Sequence, residues 1–377
     1  MAKQSLTKRK VLVAMSGGID SSVAAAILVQ EGYEVIGVTM QMWPGKSTFE
    51  NHIGATCTPL HAIADAQKVA AKLGIPHYVL KVEEVFRETI IHDFIEEYRR
   101  GRTPNPCVRC NRLVKFHTLL TEADKLGVEH IATGHYARVA YNEITGRWHI
   151  KRGVDHSKDQ SYVLYQLTQD QLARTILPLG YLTKDEVRRF ATQLGLPVAT
   201  KPESQEICFV GDSNYGAFLK KFAPEILHPG PILDISGNKL GEHKGIALYT
   251  IGQRRRLGIA KGEPTYVVRI EAKQNAIVVG KEEDLYHNKL KATDMNYVSI
   301  EEPLCSIAVT AKVRYNMKDV PALLTPIAGK HEAYITFEKP QRAITPGQSV
   351  VCYNGEDLLC GGIIDVVVNN TDNPSIT

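Results

Sequence analysis

The chain has 377 residues, 44% hydrophobic and 23% charged, and 45 Lys plus Arg against 41 Asp plus Glu leave a formal charge of +4. This composition excludes a disordered, collagen-like or disulfide-scaffold chain, and at roughly 150 residues per domain the length predicts two or three domains. No run approaches the ~20 consecutive apolar residues that cross a bilayer, and no cleavable hydrophobic segment precedes residues 11–15, so a soluble, cytoplasmic protein with no membrane partner is expected.

In chain order, residues 11–15 (VLVAM) suit a strand buried on both faces and residues 21–31 a helix. Residues 35–40 read as strand, 62–73 as helix, 78–82 as strand, 85–100 and 112–126 as helices, and 130–133 as strand. This alternation predicts an α/β domain with a doubly wound, mostly parallel sheet whose ligands sit beyond the strands' carboxyl ends. Residues 169–222 turn helical, forming a connector. Beyond Pro229, PILDISGNKLGEH and TYVVRIEAKQNAIVVG read as hairpins, and strand-like segments continue from residue 291. The division expected is an α/β domain over 1–205 that includes the start of the connector, a central β domain over 206–288, and a barrel-like antiparallel β domain over 289–377.

The strongest local signal is AMSGGIDSS, residues 14–22, between the first strand and the first helix. Ser16, Gly17 and Gly18 form a tight turn whose N–H groups can converge on phosphate, with the helix N-terminus behind them. Ser21 and Ser22 offer hydroxyls and a cap, and Asp20 could hold Mg²⁺. Gly45-Lys46-Ser47 looks like the end of a Walker A loop, but Met40 stands where that loop needs glycine. Without the P-loop lysine, a cut of ATP other than γ-phosphoryl transfer is expected.

Seven cysteines, at 57, 107, 110, 208, 305, 352 and 360, are too few and scattered for a secreted framework, so some should be chemical. In GRTPNPCVRCN, residues 101–111, two prolines and an asparagine predict a non-helical loop, and Arg99, Arg100, Arg102, Arg109 and Arg112 surround it. Such a field lowers a thiol's pKa, making Cys110 a candidate nucleophile; the alternative is an inert buried cysteine beside solvated arginines. Cys208, in SQEICFV, is either a core residue or Cys110's partner in persulfide chemistry. Cys305, Cys352 and Cys360 are expected to pack in β segments, and Cys57 receives no role. Further basic clusters at residues 8–10, 220–221 and 254–256 suit a polyanion better than the total of +4 does.

SGGIDSS resembles the signature of the ATP-pyrophosphatase (PP-loop) superfamily. The ordered series SGGIDS, GRTPNPCVRCN, TGHYAR, KDQSYVL and ESQEICF is similar to the tRNA-specific 2-thiouridylases, over residues 11 to about 350. That resemblance implies ATP-dependent adenylation of C2 of the wobble uridine, then sulfur transfer to give 2-thiouridine. It places ATP on Ala14, Met15, Ser16, Gly17, Gly18, Ile19, Asp20 and Ser21, with Met40 and Gly134 at adenine and ribose. Asn105, Pro106 and position 107 would meet the flipped base, and His135, Lys158, Asp159, Gln160, Arg314, Tyr315 and Gln348 the tRNA. Cys110 would be the nucleophile, Cys208 the persulfide carrier, and the two would form a transient disulfide. The implied partners are the tRNA anticodon stem-loop and a cysteine desulfurase or sulfur-relay protein, the protein acting as a monomer. One departure stands out: Cys107 occupies a position where many family members carry Asp. A thiol replaces a carboxylate imperfectly, its usual pKa being about 8.5 against 3.9; alternatively Cys107, Cys110 and Cys208 could ligate a [4Fe-4S] cluster. The rivals are a cluster-dependent thiolase of this or another tRNA position, a PP-loop enzyme adenylating a small molecule, and a non-catalytic RNA-binding protein.

Overall fold

The computed structural model describes residues 9–42, 60–202, 207–210, 215–259 and 263–368. Gly45-Lys46-Ser47, Cys57 and part of the basic cluster at 8–10 lie outside the described residues. The chain divides into two compact units, one drawn from 1–89, 107–213 and 356–358, the other from 90–106, 214–355 and 359–377.

The first unit is built on strands β1 (Lys10–Ala14), β2 (Glu34–Gln41), β3 (His77–Lys81) and β4 (His130–Ala132), a hairpin of β5 (Ala137–Asn142) and β6 (Arg147–Arg152), and the short β7 (Thr175–Ile176). The main sheet runs β3-β2-β1-β4-β7, with every pairing parallel. Val11, Leu12 and Val13 are fully buried, which is why β1 reads as an unbroken apolar run rather than an alternating one. Helices α1 (Ile19–Gln30) and α2 (Leu60–Leu73) share one core with β1, in which Ala24, Ala25, Ala66 and Ala70 keep the packing close. Since β2 and β3 lie on one side of β1 and β4 on the other, the strand order reverses between β1 and β4. Their carboxyl ends therefore open a crevice suited to a ligand.

Two helical expectations change. The helix expected over 85–100 contains a π turn, Arg87–Ile91, before its last segment, His92–Arg99. The non-helical stretch expected over 101–111 ends at Asn105: Pro106–Cys110 is helical and continues through a π turn, Asn111–Phe116, into His117–Lys125. Proline suits a first helical position, since its fixed φ is already helical and the N–H it lacks has no intrahelical acceptor there.

The second unit contains β8 (Gly230–Leu233), β9 (Lys239–His243), β10 (Tyr266–Glu271) and β11 (Ala276–Gly280) in the order β10-β11-β8-β9. Both expected hairpins are present, joined by a parallel pairing of β8 with β11. Six further strands follow: β12 (Tyr286–Tyr297), β13 (Ile307–Lys312), β14 (Val320–Ile327), β15 (Glu332–Arg342), β16 (Ser349–Asn354) and β17 (Asp357–Val367). They run β12-β15-β14-β13-β16-β17, and pairing of β12 with β17 closes a barrel around Leu290, Leu324, Ile335, Val350, Cys352, Cys360 and Ile364. Closure leaves no free edge, and alternate residues of β15 point inward as the pleat requires. Cys352 and Cys360 are core residues as expected, whereas Cys305 is exposed and lies outside any strand.

Candidate active site

At the end of β1 the chain turns through Met15, Ser16, Gly17 and Gly18 into α1. Gly17 has φ +72°, and a Cβ there would lie 2.1 Å from the Ala62 carbonyl oxygen, so only glycine lets the turn rest against α2. Ser16 N–H donates to Ser21 Oγ (3.0 Å) and Ser22 Oγ donates to Gly18 O (2.8 Å). The serines thus brace the loop instead of capping α1, whose N-cap is Gly18 with no side-chain bond. Gly134 follows β4, where a Cβ would approach Ser21 N to 2.8 Å. Met40 lies near the end of β2, and Thr39 Oγ1 donates to Met15 O (2.7 Å). The positions expected to hold ATP therefore gather at the carboxyl ends of β1, β2 and β4 and in the first turn of α1, at the positive end of a 12-residue helix.

Asp20 is already engaged at one of its two carboxylate oxygens. Its Oδ1 accepts from Lys184 Nζ (2.6 Å) and Tyr136 OH (2.6 Å), so a divalent cation would not find that oxygen open. Lys184, its side chain only 8% exposed, begins the helix Lys184–Gln193 behind a Thr183/Glu186 capping box. Sequence reading missed it: the capping box announces the helix, but nothing local shows that its first residue meets a loop far upstream. From there Lys184 reaches Asp20 in the first turn of α1.

Cys110 is buried, Cys208 half-buried and Cys107 exposed. Asn111 Nδ2 donates to Val163 O (3.0 Å), anchoring the helix that carries Cys110, and Phe209 packs edge-on against Phe86 beside Cys208. The Cys208 thiol opposes ionisation of both Cys107 and Cys110, so the three thiols share one neighbourhood. Burial pushes Cys110 up to about 12, with Lys115 pulling it back in part. This overturns the expected lowering by arginines. Arg99 pairs with Glu96 and Glu225, Arg100 with Glu97, and Arg102 with Glu97 and Asp365. Lys115 is a cation near the thiols that no sequence motif marks. Among the described residues no three His, Cys, Asp or Glu side chains converge as metal ligands, so Cys107, Cys110 and Cys208 do not fit an iron-sulfur cluster as they stand.

The residues assigned to RNA divide by how they are held. His135 Nδ1 bonds Thr133 Oγ1 (2.7 Å), and burial lowers its pKa to about 3, leaving a neutral imidazole. Asp159 is buried, accepting from Gly153 N, Ser161 N and Ser161 Oγ, and so turns inward; Gln160 Oε1 accepts from Tyr136 N, and Lys158 is half-buried. In the second unit, Arg314, Tyr315 and Gln348 line a cavity of about 530 Å³ together with Met317 and Arg342. Arg314 Nη2 donates to Ala343 O and Thr345 Oγ1. Gln348 Nε2 donates to Thr103 O and Pro104 O, both at 3.0 Å, holding the backbone that leads into Asn105 and Pro106.

Three family profiles match the chain in succession: a tRNA methyl transferase HUP domain over residues 9–212, a tRNA methyl transferase PRC-barrel domain over 216–281, and an aminomethyltransferase beta-barrel domain over 287–364. The tRNA-specific 2-thiouridylase MnmA of Pelotomaculum thermopropionicum is 52% identical over 363 residues, covering 96% of this chain and 98% of that protein. Its namesake in Acetivibrio thermocellus is 49% identical over 360 residues, covering 95% of this chain and 100% of that protein. A solved 4-thiouridine synthetase–RNA complex with bound ATP is 17% identical, with TM-score 0.35, and the match covers 58% of this chain and 51% of that one. Similarity at this level, extending from the phosphate-type loop through the thiol-bearing segments to the closed barrel, is descent as a whole: the chain belongs to the tRNA-specific 2-thiouridylase family.

Proposed function

We propose that the protein is an ATP-dependent tRNA-uridine 2-sulfurtransferase acting on the wobble uridine. The carrying observation is that Cys110 and Cys208, far apart in sequence, share one neighbourhood in the unit that also holds the SGGIDSS loop. ATP lies on Ser16, Gly17, Gly18, Ile19, Asp20 and Ser21, with Met40 and Gly134 toward the nucleoside. Asp20, in the first turn of α1, would help hold Mg²⁺ brought with the ATP phosphates. The C2 oxygen of the flipped uridine attacks the α-phosphorus and pyrophosphate leaves; Lys184 and the loop N–H groups offset the charge that develops.

The Cys208 persulfide, loaded by a cysteine desulfurase or relay protein, then attacks C2 through its terminal sulfur, and AMP departs with the C–O electron pair. Cys110 thiolate attacks Cys208 Sγ, closing the disulfide and leaving the outer sulfur on C2 with the S–S pair; a dithiol reductant reopens the disulfide. The tRNA is held by Lys158, Gln160, His135, Tyr315 and the cavity around Arg314 and Gln348. The protein acts in the cytoplasm as a monomer, its nucleotide, central β and barrel parts dividing near residues 205 and 288.

Methyl transfer, named in two of the profiles, needs neither an adenylating loop nor paired thiols. An enzyme adenylating a small molecule has no use for the second unit's β parts. The test is reconstitution with unmodified tRNA, ATP and a labelled persulfide donor, read by nucleoside mass spectrometry. Labelled 2-thiouridine should form with metal-free protein, and Asp20→Ala or Cys208→Ser should abolish it while tRNA binding survives. Thiolation that persists in both variants would sink the reading.

A further inference from the structure

Lys201 lies far from the nucleotide loop in sequence, yet its Nζ donates to the Gly17 carbonyl oxygen (2.9 Å) and to Asp65 Oδ2 (2.8 Å). Asp65 stands on α2 one turn beyond Ala62, against whose carbonyl the Gly17 turn rests. The peptide after Gly17 is trans and planar, so its C=O and the N–H of Gly18 point in opposite directions. Whatever fixes the carbonyl also aims the N–H. An ammonium bonded to Gly17 O therefore turns the Gly18 N–H away from Lys201. Gly17 is in the left-handed region, where its peptide has no side-chain packing of its own to set its orientation. Asp65 holds the ammonium in place, and that ion pair keeps the Asp65 carboxyl below its ordinary range.

We infer that Lys201 is a positioning residue for adenylation: by holding the Gly17 carbonyl it presents the Gly18 N–H to the nucleotide's phosphates. This rests on the reading of SGGIDSS as the ATP loop. Oriented amides contribute to catalysis because they need no rearrangement when charge develops on the leaving group. Losing that orientation weakens ATP use without touching the RNA or sulfur steps. Lys201 holds a backbone carbonyl of the loop, whereas Lys184 holds the Asp20 carboxylate.

The experiment measures pyrophosphate release by the full chain with unmodified tRNA, across ATP concentrations, for wild type, Lys201→Met, Lys201→Arg and Asp20→Ala. Lys201→Met should raise the ATP KM at least tenfold and lower kcat by less. Affinity for tRNA, persulfide loading of Cys208 and Tm should stay near wild type. Arginine, which can donate to both acceptors, should recover most of the loss. Wild-type ATP kinetics in Lys201→Met would overturn the inference, as would a parallel loss of tRNA binding, persulfide loading and Tm, which would mark an ordinary structural lysine. Unchanged ATP kinetics in Asp20→Ala would instead remove the nucleotide-loop reading on which the inference stands.

Discussion

A buried lysine touching a carboxylate at the mouth of a phosphate-type loop is poised to exchange one anion for another. In the structure Lys184 Nζ lies 2.6 Å from Asp20 Oδ1, largely shielded from water, so its charge is little screened. Lys184→Met should lower kcat/KM for ATP by about 100-fold, the usual loss on removing one oriented donor to a developing anion, while tRNA affinity is unchanged. Steady-state pyrophosphate release and filter binding decide it; a variant with wild-type kcat/KM would assign Lys184 to packing alone. The thiols make a second prediction. With burial pushing Cys110 up to about 12, its thiolate is scarce at neutral pH and grows tenfold with each pH unit below that value. In tRNA-free protein, alkylation of Cys110 by iodoacetamide should rise about tenfold per unit from pH 7 to 9 with no plateau, followed by peptide mass spectrometry. A plateau below pH 8 would mean that the thiol is activated before substrate arrives.

At the scale of elements, legibility followed how local each signal was. The parallel strands, α1 and α2, the two central hairpins and much of the barrel declared themselves through buried runs, alternation and Ser-Gly-Asn turn chemistry. At Pro106 the local sequence is ambiguous, because proline stops a helix in mid-course yet begins one well, as it does here. The bracing of the loop by Lys184 and Lys201 was invisible, since long-range partners leave no periodicity. The loop before Asn105 is a similar case: Gln348 grips Thr103 and Pro104, and Gly347, at φ +90°, would place a Cβ 2.8 Å from Thr103 O. Gly347→Ala should therefore displace residues 103–106, costing about 1–3 kcal/mol in backbone strain and reducing thiolation far more than ATP binding. Denaturant unfolding and nucleoside analysis together test this. If Gly347→Ala thiolates tRNA normally, the grip on Thr103 and Pro104 has no part in presenting Asn105 and Pro106 to the base.

Across the whole molecule, a formal charge of +4 is small for a protein that holds a tRNA, so affinity must come from where the cations lie. Arg99, Arg100 and Arg102, the densest run in sequence, are tied to Glu96, Glu97, Glu225 and Asp365, which leaves them less charge to offer a phosphate. Arg254, Arg255 and Arg256 are exposed, and Arg256 adopts φ +64°. Each cation that neutralises a phosphate releases counterions, so it contributes to the salt dependence of binding as well as to affinity. Replacing Arg254 and Arg255 with Glu should weaken tRNA binding and flatten the plot of log K against log salt by roughly 0.7–0.9 per lost phosphate contact. ATP binding, set in the other unit, should not change. The measurement is a titration of labelled tRNA at several salt concentrations; an unchanged slope would mean that this run faces solvent in the complex and that the cavity around Arg314 and Arg342 carries the backbone instead.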